Sequence, residues 1–111
     1  MREQEELIYD LTIKAGDNYS VDFDYTDDDE VSVDVSGWTV ESQIREYPEA
    51  INAIAFTGTA DASGYHLSMD TETTRKLRFA QGVYDVFITD GSGIRSKLIE
   101  GHVTVIPEVT R

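Results

Sequence analysis

Apolar and polar residues alternate along most of the chain. From Asn18 to Thr26, Tyr19, Val21, Phe23 and Tyr25 fall on one side and Ser20, Asp22, Asp24 and Thr26 on the other. Successive side chains of a strand point to opposite faces, so this rhythm predicts a strand with one face in a core and one in water. Leu7, Tyr9, Leu11 and Ile13 repeat it upstream, and Gly16–Asp17 supplies a turn. Trp38, Val40, Ser42 and Ile44 share one face of Gly37–Arg45, with Thr39, Glu41, Gln43 and Arg45 opposite. Ile54, Phe56 and Gly58 continue the pattern, and Tyr65, Leu67 and Met69 follow the Ala62–Ser63–Gly64 turn. Tyr84, Val86 and Ile88 lead into Asp90–Gly91–Ser92–Gly93, a hairpin signal. Ile99, Gly101, Val103 and Val105 form the last run, closed by Pro107, which cannot donate to a ladder. Seven short runs with regularly spaced turns predict an all-β chain folded as an antiparallel sandwich.

One segment breaks the period. Asp70–Phe79 places a capping residue first, Glu72 in the first turn, and Arg75, Lys76 and Arg78 at the end. That order complements the helix dipole, with Gly82 as terminator, and predicts two turns of helix crossing between the sheets. Tyr84 then heads a strand, where a sandwich tyrosine often hydrogen-bonds back to the preceding loop. Trp38 is expected to fill the space between sheets. The expected core is Tyr19, Val21, Phe23, Trp38, Val40, Ile44, Phe56, Leu67, Tyr84, Val86, Ile88 and Val103.

The length of 111 residues predicts a single domain over 7–106, with an acidic flexible arm at 1–6 and a C-terminal arm at 107–111. There is no cysteine, which removes disulfides and thiolate chemistry. No apolar stretch is long enough to span a membrane, so no membrane partner is expected. The net charge of −13 argues against nucleic acid, whose phosphates need clustered bases. Residues 1–55 hold 15 acids and 3 bases, whereas 56–111 hold 7 and 6. One acidic face or edge on a single fold is the simpler reading of that split.

Enzymatic readings find little support. His66 and His102 both lie mid-strand on outward positions, and Ser68 and Thr104, two residues on, are about 7 Å away along a strand. A nucleophile–base pair needs hydrogen-bond contact. The histidine spacing matches no zinc motif. Asp22, Asp24, Asp27 and Asp28 gather oxygens of the kind Ca²⁺ prefers, but lack the spacing and glycine of an EF-hand loop, so a solvated turn is the preferred reading. No phosphate loop is recognisable, and no cofactor is expected. Ile8, Phe87 and, without a bulge, Leu98 fall outside their strands' core sets. Together with Tyr47 beside Pro48, and Val109 and Arg111 in the terminal arm, they are the candidate interface residues.

Five segments carry a resemblance: Leu11–Asp17, Val35–Thr39, Gln43–Arg45, Gly82–Asp85, and Gly101–Val105 with Pro107–Arg111. In this order, over residues 7–111, the chain resembles small tailed-bacteriophage virion proteins with an immunoglobulin-like sandwich. It is similar to the N-terminal domain of phage baseplate upper proteins. The Asp27–Glu30 run departs from the glycine-bearing turn such proteins often carry after the second strand. The family's motifs are fold determinants, so the resemblance implies no catalytic residues. It implies a virion component of the tail, baseplate or neck, made in the host cytoplasm and present in symmetric copies that join larger virion proteins or anchor a fibre. A capsid decoration protein, a glycan- or host-binding module centred on Tyr47, and an acidic nucleic-acid mimic are the alternatives.

Overall fold

A computed structural model of the protein describes residues 7–27 and 29–110. In chain order it contains β1 (Leu7–Ile8), β2 (Leu11–Lys14), β3 (Tyr19–Phe23), β4 (Thr39–Arg45), β5 (Ile54–Ala55) and β6 (Thr57–Asp61). These are followed by β7 (Gly64–Met69), α1 (Thr71–Thr74), β8 (Gln81–Thr89) and β9 (Arg95–Ile106). One sheet has the order β1-β9-β8-β4-β5, with β2 also on β9, and the other is β3-β7-β6. The first sheet is built around β4, β8 and β9 and the second around β3 and β7, which is the immunoglobulin-like division of strands. The expected fold is the observed one.

Three features differ from the expectation. First, β1 and β2 run parallel to β9, in one continuous register from Leu7↔Ile99 to Lys14↔Ile106. The break between them lies at Tyr9 and Asp10, where the Asp10 carboxylate accepts the His102 N–H in place of a ladder carbonyl, 2.9 Å away. Here the Tyr9 carbonyl presses on Gly101, where a Cβ would stand only 2.2 Å from that oxygen. Tyr84 donates its hydroxyl to the same Tyr9 carbonyl, so its bond reaches the N-terminal strand and not the preceding loop. Second, the run at Ile54–Gly58 is divided. β5 pairs with β4 and β6 with β7, so the chain changes sheets at the buried Phe56.

Third, α1 is a single turn. Asp70 caps it by accepting the Thr73 N–H at 2.8 Å, and the Asn18 amide oxygen takes the Thr71 N–H at 3.1 Å. The helix stops at Arg75, and Gly82 belongs to β8. Threonines shorten the helix, but Thr74 also anchors it. Fully buried, its hydroxyl donates to the Asp17 carbonyl at 2.9 Å and accepts the Gly16 N–H at 3.0 Å. A polar atom in the interior is tolerated when it is bonded in this way.

The core lies between the sheets. Val40, Ile44, Phe56, Leu67, Tyr84, Val86, Ile88 and Val103 are buried, joined by Leu11, Ile13 and Ile99. Tyr19, Val21 and Phe23 are only half-buried, because β3 is an edge strand. Trp38 sits at the rim before β4, half-buried and edge-on to Tyr25 with centroids 5.3 Å apart. It closes one end of the core and does not fill the middle. At the C-terminus β9 ends before Pro107, as the missing N–H requires. Glu108 is docked on the body through Arg75, so the arm expected at 107–111 is held at that residue. The arm expected at 1–6 lies outside the described residues.

Two turns share one construction. Asp27 and Asp90 each bond with the residue four positions on, and each side chain accepts the N–H groups two and four positions on. Position three needs a left-handed backbone. Gly93 supplies it at φ 83°, whereas Glu30 adopts it at φ 61°. The departure from a glycine-bearing turn is therefore a strained residue in an otherwise equivalent hairpin.

Both features are open to measurement. Left-handed backbone costs an L-residue roughly 1–2 kcal/mol, and glycine gives back about 0.5–1 of that through unfolded-state entropy. Glu30→Gly is expected to raise stability by roughly 0.5–1 kcal/mol in denaturant titration; an unchanged or lower midpoint would contradict this geometry. Tyr84→Phe should cost about 1 kcal/mol and lower Tm by roughly 4–8 °C, since the Tyr9 carbonyl loses its donor.

Candidate functional site

The pleat sends one set of side chains out from the larger sheet. Ile8, Glu100, Asp85 and Gln43 form one cross-strand row, and His102, Val83 and Arg45 the next. Between these rows and Pro48 lies a shallow groove of about 390 Å³. Its charges are largely satisfied within the face. Lys97 Nζ is 3.4 Å from Glu100 and 3.7 Å from Asp85, and Arg45 donates to the Ala50 carbonyl and to Gln43. What remains for a visitor is apolar surface from Ile8, Val83 and Pro48.

The candidate interface residues meet different fates. Ile8 is 72% exposed, as its position implies. Phe87 is half-buried under Arg95, whose Cζ lies 3.7 Å from the ring centroid, with Lys97 beyond it. A ring covered by cations in this way is satisfied within the domain. Leu98 turns inward, because the β8–β9 register slips between Val86 and Phe87 and makes it the extra residue of a bulge. Tyr47 is exposed in the loop after β4, and Val109 is 94% exposed beyond Glu108. Arg111 lies outside the described residues. Strand alternation gave no hint of Val31, Ile51 or Ile94, which are also exposed and lie in loops. Val31 and Ile94 each stand four positions after the aspartate that builds their turn, and that is the signal the sequence held.

On the outer face of the smaller sheet, three strands contribute to one cluster. His66 on β7 sets Nδ1 2.7 Å from Asp22 on β3 and Nε2 3.0 Å from Asp61 at the end of β6. Spacing along its own strand suggested an unpartnered surface histidine; cross-strand register supplies two carboxylates instead. Ser63 brings a hydroxyl within 3.4 Å of Nε2, a contact across the β6–β7 turn that Ser68 could not make. Ser63 lies closer to Asp61, however, and donates to it at 2.7 Å. A serine nucleophile needs its proton directed to the imidazole, and here the proton goes to a carboxylate. His66 is held above the ordinary histidine value by its bonds to Asp61 and then Asp22. Bonds from Ser63 and His66 hold Asp61 down to about 2.

His102 is on the other sheet, exposed, with Nδ1 3.8 Å from Asp10, so the fold does not bring the two histidines together. The acidic candidates also separate. Asp22 is committed to His66 and Asp27 to its own turn, while Asp28 lies outside the described residues. Among the described residues, no group of three His, Asp or Glu side chains is placed to hold a metal ion. Many of the acidic residues crowd the end of the sandwich that carries the Asp27, Asp61 and Asp90 turns. No family model and no curated protein matches the chain.

The histidine clamp has a definite pH signature. A raised folded-state value means that the contribution of His66 is fully present below its unfolded value near 6.5 and is lost as pH climbs through the folded one. The contribution of Asp61 runs the other way: present above 3.8, it fades as pH falls through about 2. NMR titration is expected to place His66 above 6.5, with Asp61→Asn lowering it more than Asp22→Asn. A value at or below 6.5 in the intact protein would refute the clamp.

Proposed function

We propose that this chain is a non-enzymatic sandwich module of a tailed-phage virion, placed in the tail, baseplate or neck, where copies join larger virion proteins or anchor a fibre. The observation that carries the reading is the way the polar and apolar groups are divided. Carboxylates and hydroxyls are engaged in turns, caps and strand contacts, while Ile8, Val31, Ile51, Ile94 and Val109 are left on the surface. Such a molecule offers surfaces to dock against. The segments that carry the resemblance support the same reading, since they sit where the fold is made. Leu11–Asp17 is β2 and its turn, Gly82–Asp85 opens β8, and Gly101–Val105 is the stretch of β9 against the Tyr9–Asp10 break and β2.

Quantitative mass spectrometry of purified particles tests the proposal. A tail, baseplate or neck part should be present in about six to eighteen copies, set by the closed symmetries of such assemblies. Hundreds of copies would make it a capsid decoration protein, and absence from particles would overturn the virion role. Exposed Tyr47 beside Pro48 at the lip of the groove favours a glycan-binding module as the second reading. On that reading Tyr47→Ala should abolish binding on a glycan array, and an array showing no binding by the wild type ends it.

A further inference from the structure

The two ends of the sandwich are unlike. β9 runs from Arg95, beside the Asp90 turn, to Ile106, and β2 ends alongside it at Lys14. At the Ile106 end Leu77, Phe79, Val105 and Pro107 wall a cleft of about 590 Å³. Arg75, at its rim, is committed to Glu108 by two bonds of 3.0 and 3.1 Å. Arg78 lines the same cleft and makes no hydrogen bond or ion pair with any described residue. The opposite end gathers Asp27, Asp29, Glu30, Asp34, Asp61 and Asp90 around two hairpin turns. Each turn delivers an apolar side chain to the surface, Val31 at 58% and Ile94 at 62% exposure.

From this complementarity we infer that copies of the chain associate head to tail, Asp29, Glu30 and Val31 of one seated in the Arg78 cleft of the next. Val31 enters the apolar walls while Asp29 and Glu30 meet Arg78. The two surfaces lie at opposite ends of a body 48 Å long, so they cannot meet within one molecule. A contact between unlike surfaces repeats, closing into a ring or extending as a filament. The charge of −13 on each copy opposes association, but end-to-end stacking sets the centres about 48 Å apart. That is several times the screening length of about 8 Å at 0.15 M salt, so the charges in contact decide the outcome. The contact does not depend on the virion reading.

Sedimentation velocity across a concentration series at 0.15 M salt provides the test. The wild type should gain mass with concentration, and Arg78→Glu and Glu30→Arg should each weaken association at least tenfold. Both substitutions are at exposed positions, and far-UV circular dichroism checks that the variants remain folded. An equimolar mixture of the two variants should regain association beyond the dimer, because the unaltered tip of one fits the unaltered cleft of the other and the swapped charges pair at the remaining contact. A wild type that stays monomeric up to about 1 mM overturns the inference. So does association that survives in both variants, or a mixture that fails to associate beyond the dimer.

Discussion

The structure depends on β9 being paired along both edges. Residues 95–104, the bulged Leu98 aside, pair with β8 on one side, and Ile99, Glu100 and residues 103–106 pair with β1 and β2 on the other, while Ile99, Val103 and Val105 face the core. From Ile99 onward the strand is bracketed by neighbours, which must adapt to it. The N-terminal strand does so by breaking at Tyr9–Asp10, where the Asp10 side chain replaces a backbone acceptor. Gly101 allows the Tyr9 carbonyl its close approach, and the Tyr84 hydroxyl then satisfies that carbonyl. The bulge at Leu98 is part of the same adjustment, re-aiming one apolar side chain from water to core. The length of β9 also sets how far the acidic turns stand from the cleft at Arg78.

Part of the acidity of the chain has a local origin. Asp27, Asp34, Asp61 and Asp90 each accept the N–H two residues on, the bond by which a short carboxylate imitates a backbone turn. Several of these turns fall at the same end of a two-layer fold, so turn chemistry repeated there becomes a charged pole. Asp61 has a double task, because the carboxylate that shapes the β6–β7 turn also grips His66. Of the polar groups that looked like chemistry in the sequence, Asp22, Asp27 and His66 are thus occupied with architecture.

Much of the fold was legible because burial imposes a period of two. The inward sets of β2, β4, β7 and β8 were read correctly from alternation alone. Other features are matters of register between distant segments, which alternation does not encode. The parallel pairing of β2 with β9 links residues more than ninety positions apart. The meeting of Asp22, Asp61 and His66, and the reach of the Tyr84 hydroxyl to Tyr9, depend on similar long-range alignments. The half-burial of Phe87 has a different origin, since cation cover from Arg95 is a side-chain decision invisible to a hydropathy pattern. The helix was expected to run for two turns on its cap and charge order, whereas it stops at Arg75 and Thr74 is used as a buried anchor.

Native-state hydrogen exchange measures the double pairing of β9 most directly. If both edges are engaged, the amide of Ala15, which bonds to Ile106, and the alternate amides of Leu11 and Ile13, which face β9, will exchange only through global unfolding, in step with β8 and β9. Fast exchange at Leu11, Ile13 and Ala15, beside full protection of β8, would show that the N-terminal strand is not part of the sheet.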